Sequence, residues 1–159
     1  MPAARQEIER KFLVANETWR SQAHESFSVV QGYLVSTPER TVRVRLAGSK
    51  GALTIKGGRS ASGLSRFEWE IELPRDDAER MLGFCEPGRI EKTRYLVRVG
   101  AHTFEVDEFH GDNAGLTVAE VELRAEDEQF ERPGWLGAEV TADERYQNAM
   151  LVRRPYSIW

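Results

Sequence analysis

At 159 residues the chain fits one domain spanning 1–159 and is long enough to bury a core. A net charge of −4 argues against a general nucleic-acid binder, and 40% hydrophobic content is too high for a disordered chain. No run approaches the roughly 18 apolar residues that cross a bilayer, so neither nucleic acid nor membrane is expected as a partner. Cys85 is the single cysteine, which rules out an internal disulfide and fits a reducing compartment. Residues 1–6 carry no apolar leader core, and a cytoplasmic setting is expected.

Strand-like segments dominate. In chain order they fall near 5–14, 27–35, 40–47, 51–57, 66–73, 89–99, 102–109 and 116–124. Turn chemistry separates them: Thr37-Pro38, Gly48-Ser49-Lys50-Gly51, Gly57-Gly58, Pro87-Gly88, Gly100 and Gly111-Asp112-Asn113. Three stretches read as helical. Asn16 caps a short turn through Trp19, Asp76 or Asp77 opens a helix through Phe84, and Asp143 starts a C-terminal helix running to about Leu151. Eight short-linked strands of this length predict a mainly β fold, an antiparallel sheet closed into a barrel with a few flanking helices.

Within these strands, charges recur at every second residue. Glu7, Glu9 and Lys11 alternate with Ile8, Arg10 and Phe12. Arg43 and Arg45 sit among Val42, Val44 and Leu46; Glu68, Glu70 and Glu72 surround Trp69 and Ile71. Lys92 and Arg94 continue the habit, as do Glu105 with Asp107 and Glu120 with Glu122. Successive strand side chains point to opposite faces, so one face is ionic and the other apolar. If the ionic face is outside, the barrel holds an ordinary apolar core. If it is inside, helices and a second subunit in a homodimer would cover the apolar face. Two features favour the inward arrangement. Solvated faces usually intermix opposite charges, whereas whole strands here are acidic or basic. Runs such as Glu68, Glu70 and Glu72 also repel themselves unless a cation is expected.

Carboxylates at i and i+2 lie roughly 7 Å apart along a strand, close enough to share a hard divalent cation such as Mg²⁺. Glu7/Glu9 and Glu120/Glu122 form two such pairs. His24, His102 and His110 are scattered, which gives zinc no ligand cluster. The bases Lys11, Arg43, Arg45, Lys56, Lys92 and Arg94 suit phosphate and come from several strands, so they could surround a linear polyphosphate. No glycine loop of the GxxxxGK[ST] type is present, and no serine or cysteine stands in a nucleophile setting. The chemistry left is direct, metal-assisted attack on phosphorus.

Glu7-Ile8-Glu9-Arg10-Lys11 matches the ExExK opening of the CYTH, or triphosphate tunnel metalloenzyme, family. The match continues through Gln31-Gly32-Tyr33-Leu34, Arg43-Val44-Arg45, Leu53-Thr54-Ile55-Lys56 and Glu91-Lys92-Thr93-Arg94-Tyr95. It ends with Pro133-Gly134-Trp135-Leu136-Gly137, Glu139-Val140-Thr141, Arg145-Tyr146 and Asn148, and so covers nearly the whole chain. The chain most resembles the short bacterial tripolyphosphatases of that family.

That resemblance implies an eight-stranded tunnel with the charges inside. It implies Mg²⁺ or Mn²⁺ bound by Glu7, Glu9, Glu120 and Glu122, with Glu70 and Asp107 as lesser candidates for a second metal or for placing water. Lys11, Arg43, Arg45, Lys56, Lys92 and Arg94 become the phosphate contacts, and Glu7, Glu9, Lys11, Lys92 and Glu122 the catalytic set. The expected reaction is hydrolysis of inorganic triphosphate to pyrophosphate and phosphate. The family also offers a class IV-type adenylate cyclase and nucleoside or thiamine triphosphatases, and a non-catalytic polyphosphate-binding module is a further alternative. Trp69 lies on the opposite strand face from Glu68 and Glu70, so it is expected in outer packing and offers no stacking surface for a base.

Overall fold

The computed structural model describes residues 5–159; residues 1–4, the beginning of the lead-in read above, lie outside the described residues. Nine strands form: β1 (Arg5–Val14), β2 (Ala23–Ser36), β3 (Arg40–Ala47), β4 (Lys50–Arg59), β5 (Ser65–Leu73), β6 (Ile90–Val99), β7 (His102–Phe109), β8 (Thr117–Glu122) and β9 (Leu136–Glu139). Three helices accompany them: α1 (Trp19–Gln22), α2 (Arg75–Leu82) and α3 (Asn148–Arg153). No described helix is long and apolar enough to cross a membrane.

The sheet runs β5-β4-β3-β2-β6-β7-β8-β1, with every pairing antiparallel, and closes on itself through β1 and β5. Strand β1 carries the closure. Along one edge Glu9 to Leu13 pair with β8; along the other, Arg5 to Ile8 pair with β5 and Phe12 and Val14 pair with β9. Strand β9 was not legible in the sequence because its four residues show no alternation, and Gly137 is what lets it dock. A Cβ there would stand 2.9 Å from the Leu13 carbonyl oxygen.

The short helices differ from expectation at their starts. Thr18, not Asn16, precedes α1, while the Asn16 side chain accepts from the Thr18 amide at 3.0 Å. Pro74 precedes α2, leaving Asp76 and Asp77 in the first turn, where the exposed amides favour acids. Asp143 caps a 3-10 turn (Glu144–Tyr146), accepting from the Arg145 amide, and α3 begins only at Asn148. Strand β4 also runs past Gly57-Gly58, which form a register shift against β5 instead of ending the strand.

The apolar residues divide into three groups. On the outer face, Phe12, Val97, Phe104, Val106 and Val121 pack beneath Trp19 and Trp135. On another outer face, Val44 packs against Ala78 and Leu82 of α2, with Leu46 and Leu53 beside them. Phe67 and Ile71 of β5 stay exposed. The third group lies inside. Leu13, Ile90, Phe109 and Val118 each stand two residues from Lys11, Lys92, Asp107 and Glu120, on the same inward face, and they meet Tyr146 and Leu151 of the C-terminal segment. The lumen is therefore ionic over most of its length and apolar at one end, where the C-terminal segment plugs it.

Leu151 is fully buried in that plug. Leu151→Ala is expected to lower unfolding free energy by about 2–5 kcal/mol, as large-to-small core changes do. Chemical denaturation monitored by tryptophan fluorescence measures it.

Candidate active site

Within the barrel lies a cavity of about 310 Å³. Its walls carry Glu7, Glu9, Lys11, Arg43, Arg45, Lys56, Glu70, Lys92, Arg94, Glu120 and Glu122. Strand alternation puts them there, since each strand turns its charged set inward and its apolar set outward. Among the described lining residues Tyr33 is the one aromatic, and its hydroxyl stands 3.4 Å from Gln31 Nε2.

The exception is Asp107. Expected above as a lesser metal candidate, it does not line the cavity and lies behind two of the bases. Arg94 donates to it through Nε and Nη2 at 2.8 and 2.9 Å, and Lys92 Nζ stands 2.8 Å from Oδ2. Burial opposes ionisation, but Arg94 and Lys92 hold the Asp107 carboxyl below its ordinary range. With both oxygens engaged, Asp107 aims two bases at the cavity. Arg94 also reaches Glu105 through Nη1 at 2.7 Å. Glu70 accepts from the Thr54 hydroxyl at 2.7 Å and sits 3.8 and 3.7 Å from Arg43 and Arg45. It too steadies the arginines.

Two lysines lean on the C-terminal segment. Lys11 Nζ donates to the Tyr146 carbonyl at 3.0 Å and lies 3.5 Å from Glu120. Lys92 Nζ donates to Asn148 Oδ1 at 3.1 Å. Burial drives the Lys92 ammonium down to about 8, outweighing Asp107. Lys56 donates to both oxygens of Glu7 at 2.9 and 2.8 Å and lies 3.5 Å from Glu68. The sequence placed Glu68 on the inward face but gave it no role. The structure makes it a bridge between Lys56 and Arg5, whose Nε donates to it at 2.8 Å. Burial works against its charge, yet a hydrogen bond with Glu7 and the nearby Lys56 and Arg5 draw it down to about 2.

The acids gather along the seam of β1 and β8, where Glu9 is directly opposite Glu122 and Lys11 opposite Glu120. Acid facing acid is unfavourable in a sheet. Among the described residues, no base forms an ion pair with Glu9, and no three acids converge on a single metal-sized point. Withdrawal from water, with Glu120 and then Glu7 nearby, pushes the Glu9 carboxyl up to about 8. Its neighbour Glu120 is held well below the carboxylate range. Burial opposes this, but Lys11, Arg94 and a hydrogen bond with Glu9 prevail. Glu9, which has no base of its own, thus favours its protonated form beside an ionised Glu120 that is held by Lys11. An oxygen-only donor set of this kind suits a hard divalent cation, which would replace that proton.

The sequence reading also missed Arg59 and Arg66, both in the cavity wall. Arg66 was legible, being two residues from Glu68 on the same strand face. Arg59 was not, because reading Gly57-Gly58 as a turn ended the strand before it.

A family model described as the CYTH domain matches residues 5–156. The chain belongs to the CYTH domain family. An inorganic triphosphatase of Acetivibrio thermocellus is 44% identical over 151 residues, covering 94% of this chain and 95% of that protein. One from Nitrosomonas europaea is 40% identical over 150 residues, covering 91% and 95%. The crystal structure of the inorganic triphosphatase NE1496 superposes with a TM-score of 0.65 at 35% identity, over 92% of this chain and 93% of that one.

Two outcomes follow from these contacts. Asp107→Asn should cost about 3–5 kcal/mol of stability, because it leaves Lys92 and Arg94 buried beside a neutral amide; thermal and urea denaturation of the purified variant read this. The second concerns pH. Glu9 is raised in the fold from an ordinary value of 4.5 to about 8, so between those values the unfolded chain is ionised while the folded one keeps its proton. The metal-free protein should therefore lose stability as pH rises from 5 to 8, and Glu9→Gln should flatten that slope. Melting curves in chelator across this range give the answer.

Proposed function

We propose that this CYTH-family protein is an enzyme that hydrolyses inorganic triphosphate to pyrophosphate and phosphate, using Mg²⁺ or Mn²⁺. The observation that carries the proposal is the acid seam of β1 and β8, where Glu9 faces Glu122 with Glu120 and Glu7 alongside, set in a cavity whose other walls supply Lys11, Arg43, Arg45, Lys56, Lys92 and Arg94. A pure anion binder gains nothing from carboxylates beside its phosphates. The names of the two relatives, each matched over nearly its whole length, support the same substrate. A single partly buried thiol, Cys85, is compatible with a reducing setting such as the cytoplasm.

In this reading Glu7, Glu9, Glu120 and Glu122 would hold the metal, which when bound supplies charge neutralisation and a polarised phosphoryl oxygen. The chain's own residues do the remainder. Arg43 and Arg45 present guanidinium forks from β3, and Lys56 reaches in from β4. Arg94, braced by Asp107 and Glu105, adds a fork from β6. Lys92, lowered to about 8, is suited to give a hydrogen bond or a proton to the departing phosphate oxygen near neutral pH. The apolar plug around Leu13, Phe109 and Leu151 keeps water out of one end. Positioning and charge neutralisation of this kind supply most of the rate in phosphoryl transfer.

The cyclase and nucleoside alternatives fit less well. Among the described residues the lining offers Tyr33 but no free aromatic stack for a base, and none of them aims a ribose hydroxyl at the α-phosphorus.

Phosphate release from tripolyphosphate, pyrophosphate and ATP should be assayed in parallel with Mg²⁺ or Mn²⁺, with products resolved by anion exchange. Tripolyphosphate should be cleaved best, ATP less well, and nothing in excess chelator. Glu9→Gln and Glu122→Gln should each lower turnover at least 100-fold, about 3 kcal/mol in the barrier. Cyclic AMP as the main product from ATP, or intact tripolyphosphate, would overturn the proposal.

A further inference from the structure

Past Lys56 the β4 strand would, by simple alternation, turn Arg59 outward. It does not, because Gly57 and Gly58 together face Phe67, so that Lys56 pairs with Glu68 while Arg59 pairs with Arg66. This extra residue is a β-bulge, a device that re-aims the side chains beyond it. Glycine permits it: a Cβ on Gly57 would stand 3.3 Å from the Phe67 Cβ, tighter than ordinary contact. The consequence is two arginines, directly opposite each other, both in the cavity wall.

Their partners are incomplete. Arg59 donates through Nη1 to the Gly63 carbonyl at 3.1 Å, which fixes the guanidinium within its own hairpin. Its Nε is buried with no hydrogen-bond partner. Arg66 Nε forms an ion pair with Glu7 at 3.6 Å, too long for a hydrogen bond, and that Nε is likewise buried without a hydrogen-bond partner. Among the described residues, the one other arginine with an orphan Nε is Arg43, in the same cavity. Burial, with Arg66 next in weight, depresses the Arg59 guanidinium. Two like charges in one cavity wall, each guanidinium carrying a buried Nε without a partner, are what an anion with several acceptor oxygens would balance.

We propose that Arg59 and Arg66 form a further phosphate subsite at the β4–β5 end of the cavity, holding one terminal phosphoryl group of the triphosphate. The subsite deepens the triphosphatase reading and rests on it for its ligand. Its chemical consequence is chain-length selection. A ligand one phosphoryl group shorter can bind the arginines and lysines of β3, β4 and β6 without reaching Arg59, whereas tripolyphosphate spans both.

Calorimetric titration of tripolyphosphate and of pyrophosphate into the metal-free protein in chelator tests this without turnover. Arg59→Ala should weaken tripolyphosphate binding tenfold or more, change pyrophosphate binding less than threefold, and leave the melting temperature in place. Arg59→Lys, which keeps the charge but loses the fork, should recover part of the loss. Steady-state kinetics with metal should show the same change in KM, with kcat less affected. Unchanged tripolyphosphate binding, or equal losses for both ligands, would overturn the subsite. If Arg59→Ala does not fold, Arg59→Gln takes its place under the same criteria. A wild-type protein that binds tripolyphosphate but does not cleave it would sink the triphosphatase reading and leave the subsite standing.

Discussion

Carboxylates facing one another across β1 and β8 are the constraint on which the rest of the structure depends. Glu9 opposite Glu122, with Glu120 and Glu7 alongside, is a cluster that a folded protein would ordinarily avoid. It persists because the barrel wall around it is basic. Lys56 takes Glu7, Lys11 lies near Glu120, and burial beside Glu120 and Glu7 favours the neutral form of Glu9. In the proposed function, a divalent cation would relieve the acids and phosphates would occupy the bases that the acids release.

Buried ion pairs of this kind contribute little to net stability, since desolvation offsets most of their attraction. The fold draws its stability from elsewhere. The outer face carries the large apolar cluster beneath Trp19 and Trp135, and α2 covers β3 and β4. The barrel is thus inside out relative to an ordinary one, with hydrophobic packing outside the sheet and charge within. Its lumen can remain polar and hydrated because the core that holds the sheet together lies elsewhere.

The C-terminal segment joins the two regimes. Tyr146 and Leu151 complete an apolar plug with inward residues of β1, β6, β7 and β8, while the Tyr146 carbonyl and the Asn148 amide fix the two site lysines. Closing the lumen and orienting Lys11 and Lys92 are one structural act. Movement of α3 would therefore alter both the seal and the position of the bases.

The sequence by itself determined which face each strand shows, because alternation along a strand is a local property. From it came the eight barrel strands, the inward acids and bases, and the expectation that Trp69 lies outside. The closure of the sheet was only implied by strand count, whereas the pairing of β1 with β5 is a contact between segments some sixty residues apart. Which acid meets which base was equally invisible: the commitment of Asp107 to Lys92 and Arg94, or of Glu7 to Lys56, depends on strand register, and register is set by the whole sheet. Strand β9 exists only because β1 offers it a free edge. The inward turn of Arg59 was decided by a bulge, one residue of mismatch between two strands that neither strand's sequence encodes alone. Periodicity gives a side chain its face, and only the tertiary pairing gives it a partner.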